Sequence, residues 1–98
     1  MTVELSLIVD DAHLPTDYFV AEFIDHVVSG MVEALEGTSQ AKDLDLTIDG
    51  EKVTINLNGS PIPTNTFVRK IVSGTIIGMV RTLKGVDDFA KLRIVIHK

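Results

Sequence analysis

Two gapless copies of one unit make up this chain. Residues 3–50 laid on residues 51–98, a shift of 48, agree at eleven positions. Nine of these fall between Pro15 and Gly37, among them Phe19/Phe67, Val20/Val68, Gly30/Gly78 and Leu35/Leu83. A unit this short cannot bury an apolar face by itself. The copies must therefore share one core, and whatever one copy folds into, the other does too.

Each copy reads as strand, helix, strand. Val3, Leu5, Leu7 and Val9 alternate with mostly polar neighbours, as in a half-buried strand, and Val53, Ile55 and Leu57 repeat the pattern. A loop ending in Pro-Thr follows, which makes Thr16 and Thr64 the expected helix N-caps. Gly37 and Gly85 are the expected helix stops. Within the first helix Phe19, Phe23, Val27, Met31 and Leu35 are expected to share a buried face with Val20, Ile24 and Val28. The second helix repeats this with Phe67, Ile71, Thr75, Met79 and Leu83 beside Val68, Val72 and Ile76. Leu44, Leu46 and Ile48 alternate next, matched by Leu92, Ile94 and Ile96, and Asp49-Gly50 is the expected hairpin turn between the copies.

The expectation is one α+β domain over residues 1–98, with repeats at about 3–50 and 51–98. It is a βαββαβ two-layer sandwich with a four-stranded antiparallel sheet in the order 4-1-3-2 and two antiparallel helices on one face. This layout resembles the ferredoxin-like fold over the whole chain. The resemblance is topological, and such folds host many unrelated functions. Length and layout are also similar to acylphosphatases, but their glycine-rich phosphate loop and arginine are missing: the equivalent loop reads Val9-Asp10-Asp11-Ala12-His13-Leu14. The Cys-x-x-Cys of metallochaperone domains and the aromatic strand motifs of RNA-recognition domains are missing too.

Composition removes several classes of function. There is no cysteine, hence no disulfide, thiolate chemistry or cysteine-held metal. A net charge of −5 and 5% aromatic residues argue against a nucleic-acid partner. No stretch approaches the roughly 18 apolar residues of a membrane span, and the chain enters a strand at once without a leader-like segment. A cytoplasmic location with no membrane contact is expected.

The halves are oppositely charged. Residues 1–50 hold eleven acidic groups and one lysine; residues 51–98 hold eight basic and three acidic groups. The reversal falls on aligned helix positions: Glu22/Lys70, Glu33/Arg81 and Glu36/Lys84. If the helices meet antiparallel along these edges, Glu22 lies near Arg81 and Glu33 near Lys70. His26, Gly30, Gly74 and Gly78 would then sit at a close crossing. Exposed pairs of this kind contribute under about 1 kcal/mol each, so a solvated charged surface is the plain reading. The functional reading is association driven by the charge asymmetry.

Two strand-to-helix loops are candidate binding sites. Asp10, Asp11 and His13 could hold a cation or do acid–base work, although acidic groups ahead of a helix also favour its positive end. Asn58, Ser60, Thr64 and Asn65, with Gly59, precede a helix carrying Arg69 and Lys70 and could hold an anion. Yet Asn-Gly is an ordinary turn, and Pro61 and Pro63 remove two donors. His13, His26 and His97 fall on separate elements, so no metal centre, cofactor or catalytic residue is assigned. Ile8 and Val95 on the uncovered sheet face, and an exposed Ile77 on the helix face, are candidate interface residues for a homodimer or another protein partner. The expected function is a small non-enzymatic interaction or ligand-binding module. The alternative is a small enzyme, or an anion- or metal-binding protein, using one of the two loops.

Overall fold

A computed structural model describes residues 4–36, 42–85 and 89–97; the expected helix stop Gly37 lies outside them. The elements are β1 (Glu4–Val9), β2 (Ala12–Leu14), α1 (Tyr18–Glu36), β3 (Asp43–Asp49), β4 (Lys52–Leu57), β5 (Ser60–Pro61), α2 (Thr66–Lys84) and β6 (Lys91–His97). The sheet is six-stranded, in the order β2-β1-β6-β3-β4-β5, with every pairing antiparallel. This corrects the four-stranded ferredoxin-like expectation in strand number and in order. The second strands of the two repeats, β3 and β6, stand side by side at the centre, where the expected order put the first strands.

The right-handed crossover rule permits both orders, so it could not choose between them. The strand-to-helix loops make the choice. Asp10 and Asp11 have φ of 48° and 67°, and Asn58 and Gly59 have 50° and 83°. Two successive left-handed residues form the tight turn whose twist matches a hairpin, and Asn-Gly is its strongest signature. Each loop therefore folds back as a short strand, β2 beside β1 and β5 beside β4. With one edge already taken, β1 and β4 cannot be central strands. Pro61 and the brevity of β2 and β5 then blunt the outer edges of the sheet. The β3–β4 turn is shifted by one residue from expectation: Asp49 pairs with Lys52, so Gly50, at φ 60°, and Glu51 are its central residues.

The repeat survives in the register. Leu46 and Ile94, aligned in the two copies, stand opposite each other, with Leu44–Ile96 and Ile48–Leu92 on either side. A pseudo-two-fold axis therefore passes through the Leu46–Ile94 pair. Leu7, Val9, Leu44, Leu46, Ile48, Val53, Ile55, Leu92, Ile94 and Ile96 all point to one face, and both helices cover it. Val20, Ile24, Val28 and Val32 of α1 and Val72, Ile76 and Val80 of α2 close the core. β-Branched residues are poor helix formers, so tertiary burial of this face is what holds both helices. Asp25 is buried on α1 and accepts a hydrogen bond from the Ser29 hydroxyl at 2.9 Å.

Candidate interaction surface

The two loops are built alike. Asp10 Oδ1 accepts hydrogen bonds from the backbone N–H groups of Ala90 and Lys91, both at 2.9 Å. Asn58 Oδ1 does the same for Lys42 and Asp43, both at 3.0 Å. The positions are aligned, so each repeat ties its first-strand turn to the start of the other repeat's second strand. A carboxylate serves in one copy and an amide in the other, because the task needs only an oxygen on a residue that tolerates left-handed backbone. Helix capping follows the same rule one residue past the expected threonines. Asp17 Oδ1 accepts from Val20 N–H and Asn65 Oδ1 from Val68 N–H, each at 2.8 Å. At the far end of α2, Gly85 is the stop: it sits at φ 65° and its N–H donates to the Arg81 carbonyl.

The remaining loop residues divide. Asp10, Asp11 and His13 come together with Ile8, Lys91 and Arg93 around a shallow depression of about 200 Å³ on the open sheet face. Ser60 is exposed on β5. Arg69 donates to the Thr64 carbonyl at 3.1 Å and to the Thr66 hydroxyl at 3.3 Å, so the nearest cation is engaged at the start of its own helix. The two loops lie at opposite ends of the sheet, because Asp10 follows the Val9–Leu92–Ile48–Val53 row and Asn58 the Leu5–Ile96–Leu44–Leu57 row.

The open sheet face is polar and its charges are matched across strands. Arg93 makes two bonds to the Asp45 carboxylate, at 3.1 and 2.7 Å. That hydrogen-bonded anion raises the already high Arg93 pKa. His97 Nδ1 contacts Asp43 on the same face. Ile8 stands opposite Arg93, and Val95 lies between Ser6 and Asp45, so the two apolar side chains are diagonal neighbours, each half-buried. Among the described residues no group of three or more His, Asp or Glu is placed to hold a metal ion.

The apolar surface lies on the other layer. Tyr18, Phe19 and Phe23 on α1 and Phe67 and Ile71 on α2 are all exposed, Phe19 and Phe67 by 63% and 65%. The expected buried face included Phe19, Phe23, Phe67 and Ile71, and helix geometry explains the difference. Residues four apart drift about 40° around an α-helix. The row 20, 24, 28, 32 stays centred on the sheet. The row 19, 23, 27, 31, 35 starts in solvent at Phe19 and reaches the core only near Leu35, and α2 repeats the drift from Phe67 to Leu83. Ile77, expected to be exposed, is half-buried against the core.

The Phe19 and Phe23 rings lie 5.9 Å apart. With Glu22, His26 and Val27 they line an open groove of about 390 Å³. Glu22 pairs with His26 at 3.2 Å on its own helix, and Arg81 lies over the Phe89 ring at 5.9 Å, so the expected Glu22–Arg81 contact does not form within the chain. Nor do the helical glycines serve a close crossing: a Cβ added to Gly30, Gly74 or Gly78 would meet nothing within 4 Å. No helix among the described residues is long and apolar enough to cross a membrane. Comparison with family models, curated proteins and solved structures finds no match.

Proposed function

We propose that this chain is a small, cytoplasmic, non-enzymatic interaction module that docks through its helix layer. One observation carries the reading. Among the described residues, all five large apolar side chains that stand exposed lie on α1 and α2, clustered toward the N-terminal half of each. The opposite face is polar and pairs its own charges. Single exposed apolar residues are ordinary, whereas an apolar stripe repeated on both helices, with a groove on α1, is the pattern of a contact surface. The test is a photo-cross-linking residue placed at Phe23 and, separately, at Thr54 on the open sheet face. Protein adducts from position 23 but not from 54 support the helix layer. Adducts from 54 alone, or from neither position, count against it.

A second reading rests on the depression where Asp11 and His13 meet Lys91 and Arg93. There the chain would be an anion-binding protein. Calorimetry with inorganic phosphate tests it, and the absence of heat removes it.

A further inference from the structure

We infer that the partner of the helix layer is a second copy of this chain, packed layer to layer so that α1 of each copy lies antiparallel on α2 of the other. The inference rests on the helix-layer reading and adds the identity of the occupant.

Charge selects the arrangement. On α1 the aromatic stripe is bordered by Glu22 and Glu33; on α2 the matching stripe is bordered by Lys70 and Arg81. A two-fold axis parallel to the helices sets α1 over the second copy's α2, with Glu22 beside Arg81 and Glu33 beside Lys70. Stacking α1 on α1 would set acid against acid. A closed two-fold pairing of this kind satisfies both helices of both copies at once.

Shape and size agree. In the antiparallel pairing Phe19 and Phe23 approach the C-terminal half of α2, where Gly78 leaves bare backbone. Ile71 likewise approaches Gly30. Neither glycine is crowded within its own chain. Two 19-residue helices side by side present a surface about 28 Å long and about 20 Å wide. That flat footprint of about 560 Å² clears the about 500 Å² per partner that a biological interface needs.

The experiment is sedimentation equilibrium of the purified chain from micromolar to sub-millimolar concentration, at low and high salt. The expected species has twice the 10.7 kDa chain mass and dissociates more readily as salt rises. Glu22→Lys with Glu33→Lys gives a chain basic on both helices. Lys70→Glu with Arg81→Glu gives one acidic on both. Each double variant alone should lose about 100-fold in self-association. An equimolar mixture should recover the dimer, which also shows that both variants are folded. The inference is overturned by a wild-type monomer throughout, by a dimer indifferent to both charge reversals, or by a mixture that fails to recover. A monomeric chain whose position 23 still cross-links to another protein removes self-association and keeps the docking surface. A monomer with no adduct removes both.

Discussion

Replacing Asn58 by alanine tests how the two repeats are held together. Two things are lost at once. The side-chain oxygen no longer receives the N–H groups of Lys42 and Asp43, two exposed bonds at 3.0 Å that contribute about 0.5–1 kcal/mol each. Alanine must also adopt φ near 50°, which costs it roughly 1–2 kcal/mol. The sum is about 2–4 kcal/mol. At a urea slope near 1.5 kcal/mol per molar, the unfolding midpoint should fall by about 1.5–2.5 M. Asn58→Gly separates the parts, since it keeps the backbone freedom and loses only the acceptor. It should recover roughly half of the loss. Asn58→Asp keeps both and should stay within about 0.5 kcal/mol of wild type. An Asn58→Ala midpoint indistinguishable from wild type, or an Asn58→Asp midpoint as low as that of alanine, would refute the account of this residue as a tie between repeats.

Other outcomes follow from the same geometry. Leu46→Ala and Ile94→Ala remove fully buried side chains at the pseudo-two-fold axis; each should cost about 2–5 kcal/mol in chemical denaturation. Gly30→Ala and Gly78→Ala should raise the stability of the monomeric chain by about 0.5–1 kcal/mol each, seen as a higher thermal midpoint in dilute solution, because the added methyl group has open space. The same changes should weaken self-association in sedimentation. Gly85→Ala should destabilise by about 1 kcal/mol, since φ 65° suits glycine and not alanine; an unchanged thermal midpoint would show that the helix ends elsewhere.

The repeat, both helices, the four long strands and their inward residues are legible in the sequence, because alternation and helical spacing report burial directly; the short β2 and β5 are not. Nor is the strand order. Crossover handedness leaves two solutions, and the residues that choose between them are Asp10-Asp11 and Asn58-Gly59. The second pair is a strong hairpin signal; the first is weak, because aspartate visits left-handed backbone only at some cost. Asp10 and Asn58 look like a difference between the copies when compared as charged and neutral, and like an identity when compared as acceptors. The exposed aromatics were misplaced for another reason. A row of residues four apart reads as one face, although it winds from solvent at Phe19 to the core at Leu35. The drift of about 40° between residues four apart is what separates the two rows.

The central position of β6 also matters for synthesis. Both β1 and β3 pair along their lengths with β6, and not with each other. The ribosome makes β6 after every other strand of the fold. Until it emerges, the nascent chain can form only the β1–β2 hairpin and the β3–β4–β5 meander, two separate pieces whose apolar faces have no shared sheet to join. The fold is therefore completed in a single late step, when the last strand slides between two that have been waiting for it. Pairing Glu4 with His97 at such sequence distance implies slow closure, and a need for protection of β1 until β6 has been made.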